Sequence, residues 1–586
     1  MIIVRGANFY CYEIEEVVNN TQGVLSTFAA VCAMDDPKTG TESMAVFFVP
    51  EGPGETAVAT SLRSIQENIT REFGVVPAYV IPVARDAFPK TTSGKIQRTQ
   101  LKKRLATGEF DDLLRRIDLA TGKNTVPAWF LRWTWRPSRS APTRRSSHGT
   151  TLVIDAGGSA GRAGAPADDD LRGAGLVEAL GDDGAVLVDV AEEFVEHGSS
   201  HFSVNPEDIG HLDRMVQEVV RSGRGIETVV VLNPSPGILL TLGQALATGG
   251  AVRLVVGVTH ALQVRDTERP VPERAALRGL AETIPTEWHG IDVSLVDVTG
   301  EVDGAATLVA ESRLADKART VAYRDGDRLV PLLEEARFGA GGDALAGGDL
   351  VLVTGGLGGV GGELCKHLLV QHQVRLLVTG RSSLDTAEDG GASEGLGRQK
   401  TVAERRETLT ELEALGEVLY RRADVTDRAS MGTAVAEAEQ RFGTRVRAAV
   451  HLAGIFPPRL LGEETPDSLA ATLSPKLEGA RCLDDLLPDE CLIVLFGSVY
   501  GTFGAAACGG YAVANAALRG FAASRSGPTR LVDWSNWDDL GMSRGYTLED
   551  LEQEDGLPAQ REEVGVDVDA IDLEDLLPYG GDGTFG

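Results

Sequence analysis

Between Leu495 and Ala522 the chain reads LFGSVYGTFGAAACGGYAVANAALRGFA, and three of its side chains can do carbonyl chemistry: Ser498, Tyr511 and Asn515. Ser498 and Tyr511 are 13 residues apart, and Tyr511 and Asn515 are 4 apart. Four residues is about one helical turn, so the last two share a face. Reducing a carbonyl by hydride needs a donor over the carbon, stabilisation of the developing alkoxide, and a proton. A serine and a tyrosine supply the last two. A tyrosine of ordinary pKa, about 10, serves poorly at neutral pH unless a nearby cation favours its anion.

The hydride source is legible upstream. LVLVTGGLGGVGGELCKHLL sets Gly356-x-Gly358-x-x-Gly361 directly after an apolar strand and at the opening of a helix. Glycines let the backbone approach a pyrophosphate, and the helix start offers N–H groups and a positive dipole. Thr354 and Leu357 complete the loop as candidate contacts. The next strand ends VTGRSS, where an NAD site usually carries an acid and an arginine accommodates the 2′-phosphate of NADP, so Arg381 and Ser382 predict NADPH. Asp424 and Val425 after the third strand are candidates for the adenine edge. His451-Leu-Ala-Gly454 after the fourth, with Ala453 and Gly454, is expected on the nicotinamide side.

These segments belong to a repeating pattern. DLVLVTGG, VRLLVTGR, VLYRRADV, RAAVHLAG, CLIVLFGS and TRLVDWSN are near-continuously apolar, as parallel strands buried on both faces require. An earlier series, TLVIDAG, AVLVDV, ETVVVLN and VRLVVGV, alternates with helical stretches in the same way after the strand WFLRWTW (Trp129–Trp135). The expected fold class is α/β, with tandem Rossmann-like subdomains behind a small α+β piece. That piece carries strands at Ile2–Val4, Ser43–Val49 and Ala78–Val83. The expected domains are 1–124, 125–345, 346–565 and a linker at 566–586, with GAGGDALAGG (339–348) joining the α/β halves and DTAEDGGASEGLGRQ after Leu384 as a surface insertion.

The length of 586 residues calls for several domains, and the net charge of −30 argues against nucleic acid as a partner. The six cysteines are scattered without CxxC spacing, so neither a zinc site nor a disulfide framework is expected, and a reducing cytoplasm is the natural compartment. No apolar run approaches the roughly 18 residues of a membrane span. The opening MIIVRGANFY lacks the order of a signal peptide and reads as the middle of a domain, so a segment of a longer polypeptide is expected.

From about Thr125 to Gly565 the chain resembles the ketoreductase domains of modular polyketide synthases and hybrid nonribosomal peptide synthetases. In ordinary short-chain reductases a lysine stands four residues after the tyrosine, where this chain has Asn515. The ketoreductase domains exchange the two, which makes Lys476 in LSPKLEGA the lysine. The resemblance implies that Tyr511 donates the proton and Ser498 bonds the carbonyl oxygen. It implies also that Lys476 lowers the tyrosine pKa and contacts ribose, and that Asn515 supports a proton relay. It further implies a first half without cofactor, and a WSNWDDLGM segment (Trp534–Met542) near the substrate entrance. Where many members carry Leu-Asp-Asp after the His-x-Ala-Gly strand, this chain reads IFPPRLL, so the rule relating that motif to product configuration does not transfer.

MIIVRGANFYCYEIEEVV and FPKTTSGKIQRTQLKKR resemble the C-terminal lid of adenylate-forming enzymes. Thr92-Ser93-Gly94-Lys95 matches the motif whose lysine bridges ATP phosphates and the acid carboxylate, and Lys95 inherits that role. The large subdomain holding the ATP and acid pockets is a missing partner, so no adenylation is expected from this chain alone. A reductase fused to an acid-loading domain, with no condensing segment between them, is expected to act on an acid that brings its own ketone. The reading is therefore NADPH-dependent reduction of an α-ketoacyl thioester on the phosphopantetheine arm of a carrier-protein domain. Alternatives are β-ketoacyl reduction and, in another class, a non-catalytic spacer module.

Overall fold

The computed structural model describes residues 2–4, 7–36, 41–51, 55–73, 75, 77, 79–85, 87–91, 95–106, 110, 131–138, 149–156, 171, 173–181, 185–299, 303–314, 318–336, 345–384 and 402–535. Thr92–Gly94, the polar insertion after Leu384, all but the first two residues of WSNWDDLGM and the C-terminal linker lie outside the described residues. The described residues fall into two compact units, the first made of those in Met1–Phe130 with Ala336 and the second of the rest from Leu131 onward.

In the first unit, strands Val24–Asp36, Thr41–Pro50 and Tyr79–Pro82 form a mixed sheet, the first pair antiparallel and the second parallel. The longest of them, Val24–Asp36, was not anticipated from the sequence. Ala29, Ala30, Val31 and Cys32 in succession are all buried, so no in–out alternation marks the strand. Glu15, on helix Cys11–Asn19, accepts the Val31 N–H at 2.9 Å and both Nε and Nη2 of Arg98 at 2.7 and 2.6 Å. That forked ion pair pins helix Arg98–Ala106, which begins three residues after Lys95.

Two sheets build the second unit. The one nearer the C-terminus is parallel throughout, in the spatial order Val418–Arg422, Arg375–Gly380, Leu350–Thr354, Val446–His451, Leu492–Ser498, Thr529–Trp534. This is the doubly wound Rossmann order, with its reversal between Leu350–Thr354 and Val446–His451, where such sheets bind ligands. All six apolar runs read from the sequence are strands of this sheet.

The other sheet has a parallel centre of Ala185–Val190, Thr150–Asp155, Ile226–Leu232, Val252–Val258, Ile291–Val298 and Thr320–Arg324. Strand Leu131–Pro137, the described part of WFLRWTW, pairs antiparallel with Asp327–Glu335 at one edge. At the carboxyl end of this sheet the polar groups face one another. Asp297 accepts the Ala261 and Leu262 N–H groups at 3.1 and 2.7 Å and pairs with Arg324, which also holds Glu268.

The two halves meet helix on helix. Leu277–Glu287 packs against Gly509–Ser524 so closely that a Cβ at Gly279 would lie 2.4 Å from the Ala512 carbonyl carbon.

Candidate active site

The glycine loop follows strand Leu350–Thr354, whose five residues are all buried. Gly355 takes φ +77°, a left-handed conformation that side chains with a Cβ rarely adopt, and Gly358 caps helix Gly359–Gln371 with no side chain of its own. A Cβ at Gly361 would stand 2.6 Å from the Gly355 carbonyl oxygen, and one at Gly356 would crowd Val378 and Cys365. The loop is therefore as tight as the sequence pattern requires. The glycine that needs its backbone freedom is Gly355, one residue ahead of the motif as read.

At the end of the next strand, Arg381 is exposed, and its carbonyl accepts Nε–H of Arg422 at 3.0 Å. Ser382 receives a hydrogen bond from the guanidinium of Arg405, a residue the sequence reading passed over. Arg381, Arg405 and Arg422 thus gather around one strand end. Asp424 accepts the Thr426 N–H and hydroxyl at 2.9 and 2.7 Å, which hold its carboxyl below the usual range, helped by the charge of Arg381. Val425 is buried, its methyl groups beside the position a Cβ of Gly479 would take.

Ser498, Tyr511, Asn515 and Lys476 come from three elements and meet at the carboxyl end of the sheet. Ser498 ends strand Leu492–Ser498, Tyr511 and Asn515 lie one turn apart in helix Gly509–Ser524, and Lys476 projects from helix Pro466–Leu486. All four are buried. Burial pushes the Tyr511 hydroxyl up to about 12, and the side chains of Asn515 and Ser498 draw it back down. The phenol therefore keeps its proton at neutral pH. Phe456 meets the Tyr511 ring edge-on at 5.0 Å and Tyr500 at 6.4 Å. Asn515 Nδ2 donates to the Tyr511 carbonyl at 2.8 Å, and its Oδ1 is buried without a hydrogen-bond partner among the described residues.

Lys476 lies with Nζ 5.7 Å from the Tyr511 ring centroid and donates to the Phe496 carbonyl at 2.7 Å. Burial lowers its pKa to about 8. Space for the side chain comes from Gly454, where a Cβ would sit 3.1 Å from the lysine Cε. His451 supports this arrangement. Burial and the neighbouring Lys476 charge lower its pKa to about 4, so the ring is neutral. A carbonyl can only accept, so Nε2–H donates to the Lys476 carbonyl at 3.0 Å, and Nδ1 then accepts the Thr354 hydroxyl at 2.8 Å. Thr354 Oγ1 accepts the Ala453 N–H at 3.4 Å. One chain of hydrogen bonds thus ties the glycine loop, the fourth strand and the lysine helix together. The sequence placed His451 at the site but gave no sign of this bracing.

Lys95 belongs to the first unit and is exposed; its N–H donates to Thr91 Oγ1 at 3.0 Å and its carbonyl accepts the Thr91 N–H at 2.8 Å. Among the described residues, no cluster of His, Cys, Asp or Glu is arranged to hold a metal, and no helix is long and apolar enough to cross a membrane.

Residues 350–539 match the family described as KR domain. This segment is a KR domain. KR domains are oxidoreductases of the short-chain dehydrogenase/reductase type. Its chain is 35% identical over 318 residues to erythronolide synthase EryA3 of Saccharopolyspora erythraea, and 29% identical over 317 residues to polyketide synthase PksM of Bacillus subtilis. Those stretches take in 52% and 49% of this chain but only 9% and 7% of the two synthases. The KR domain and its neighbours share the fold of a solved ketoreductase from the first module of phoslactomycin biosynthesis in Streptomyces sp. HK803. That match has 25% identity, TM-score 0.53, and covers 72% of this chain and 85% of the other. A second solved structure is described as adenylation, ketoreductase and pseudo Asub domains of a keto acid-selecting NRPS module. It has TM-score 0.63 at 24% identity and covers 94% of this chain and 47% of that one.

Proposed function

We propose that this chain reduces, with NADPH, the keto group of an α-ketoacyl thioester carried on the phosphopantetheine arm of a carrier domain. The observation that carries the reading is the convergence of Ser498, Tyr511, Asn515 and Lys476 at the mouth of a glycine loop with no room for side chains. The fit of a dinucleotide is supported by the tight Gly355–Gly361 turn at a helix start without a side-chain cap, and by the arginines around Ser382. Thr354, Gly356, Leu357, Gly358 and Gly361 would hold the pyrophosphate, Arg381 and Ser382 the 2′-phosphate, Asp424 and Val425 the adenine side, and Ala453 and Gly454 the nicotinamide side. Bound NADPH supplies the hydride.

The protein's own groups do the rest. Ser498 donates a hydrogen bond to the substrate carbonyl oxygen, and Tyr511, held protonated by burial, gives that oxygen its proton as negative charge develops. Lys476 places a cation near the ring of Tyr511 and a donor for ribose. The orphaned Oδ1 of Asn515 is the natural seat of a water that returns a proton to the tyrosine.

Three features support the α-keto position. The adenylation-like lid precedes the reductase with no condensing segment between the two. The structural relative that covers 94% of this chain is described as a keto acid-selecting module. Phe456, from the segment standing in place of Leu-Asp-Asp, meets the Tyr511 ring edge-on at 5.0 Å, so the surroundings of the proton donor differ from those that motif would give. The identity to polyketide synthases favours β-ketoacyl reduction as the second reading. NADPH oxidation measured side by side on pantetheine thioesters of a branched α-keto acid and its β-keto counterpart decides between them. The α-keto substrate is expected to turn over faster, and preference for the β-keto substrate overturns the assignment. In the first unit, Lys95 is proposed to complete acid activation when the large adenylation subdomain is present.

A further inference from the structure

We infer that Glu287, in the half without the glycine loop, is a positioning residue for Tyr511; this rests on the reading of Tyr511 as proton donor. Glu287 is the last residue of helix Leu277–Glu287. Its two carboxylate oxygens leave their own half and accept one backbone N–H each from two separate loops of the catalytic half. Oε2 takes the Leu461 N–H at 2.6 Å and Oε1 takes the Ala507 N–H at 2.9 Å. One carboxylate thus sets the spacing between the segment that carries Phe456 and the segment that leads into the Tyr511 helix.

The Ala507 end of this bracket is where the geometry is demanding. Ala507 has φ +55°, in the left-handed region that residues with a Cβ seldom enter without external support. Its carbonyl accepts the Arg459 N–H at 3.0 Å, so the same residue is held from both sides. The next residue, Cys508, caps helix Gly509–Ser524, its carbonyl accepting the Ala512 N–H at 2.8 Å. Tyr511 is three residues further on, so the torsion at Ala507 sets where the first turn, and with it the phenol, points.

The Leu461 end is held as firmly. Gln244, also from the other half, donates Nε2–H to the Leu461 carbonyl at 2.8 Å and to the Glu464 carbonyl at 2.9 Å. The Leu461 side chain is fully buried, and a Cβ at Gly509 would lie 2.4 Å from its Cδ2. Leu461 is therefore a fixed post under the start of the tyrosine helix, and Glu287 ties the strained turn to that post. A half that carries no glycine loop acts in the reaction through this bond.

The test compares Glu287→Ala, Glu287→Gln and Glu287→Ala with Ala507→Gly, with Tyr511→Phe as control. Turnover is read by NADPH oxidation, and NADPH affinity by fluorescence titration. Glu287→Ala is expected to lower kcat by on the order of 10²-fold, the cost of roughly an ångström of misplacement, while NADPH affinity stays within about twofold. Glu287→Gln, which keeps one acceptor oxygen, is expected to fall between it and the parent. Glycine adopts a left-handed turn without support, so adding Ala507→Gly is expected to recover most of the lost kcat. Unchanged kcat in Glu287→Ala, loss of NADPH binding together with activity in both single variants, or failure of Ala507→Gly to restore turnover overturns the inference. If Tyr511→Phe itself retains normal turnover, it is the reading of Tyr511 that fails.

Discussion

Replacing Lys476 with methionine is expected to make the protein more stable and nearly inactive. The ammonium is buried, its pKa is lowered from 10.5 to about 8 by that burial, and its hydrogen bond goes to the Phe496 carbonyl. At about 1.4 kcal/mol per pKa unit, holding this charge inside costs the folded state about 3 kcal/mol at pH 7. Methionine nearly matches the lysine stem in length and removes the charge, but leaves the Phe496 carbonyl without its donor, which costs about 1 kcal/mol. Lys476→Met should therefore raise the unfolding free energy by about 2 kcal/mol at pH 7, read from the midpoint of urea unfolding. The gain must depend on pH. Between about pH 8 and 10.5 the unfolded parent binds a proton that the folded parent has released, so the parent gains stability as pH rises and its deficit against Lys476→Met closes. At pH 9.5 less than half of the difference should remain. Reductase turnover should drop by at least about 10²-fold. A variant less stable than the parent at pH 7, or a stability difference independent of pH, would refute the argument that this lysine is kept for function at a cost to the fold.

Other perturbations separate the remaining parts of the site. Tyr511→Phe should lower turnover by about 10²–10⁴-fold with NADPH binding intact, because only the proton donor is lost; near-normal turnover would mean another group supplies the proton. Arg381→Asp should shift preference from NADPH toward NADH in fluorescence titrations, and unchanged preference would move the 2′-phosphate away from this strand end. Lys95→Ala should leave reduction by this chain unaltered and abolish acid loading once the large adenylation subdomain is supplied; a tenfold reductase defect would contradict chemical independence of the two sites.

The parts of the site that the sequence disclosed are those whose spacing is set within one element. Tyr511 and Asn515 lie a turn apart on one helix, and the glycine loop joins one strand to the next helix, so local pattern suffices. The parallel sheet was legible for the same reason, since each of its strands is a short continuous apolar run. What stayed hidden depends on distant partners. Glu287 reaches residues 174 and 220 positions away, and His451 acts through Thr354 and Lys476, on two other elements. Arg405 stands beyond a polar insertion, and no local spacing links it to Ser382. Gly355 was overlooked because a glycine run offers several registers of the same motif, and only the backbone torsion tells which glycine carries the turn.

The central claim, reduction of an α-ketone by hydride with Tyr511 as proton donor, is tested most directly by isotope transfer. The chain is incubated with NADPH dideuterated at C4 of the nicotinamide and the pantetheine thioester of a branched α-keto acid, and the product is analysed by mass spectrometry. The account predicts an α-hydroxyacyl thioester carrying one deuterium on its α carbon, formed by the parent and not by Tyr511→Phe. Absence of deuterium from that carbon, or equal labelling by Tyr511→Phe, would contradict it.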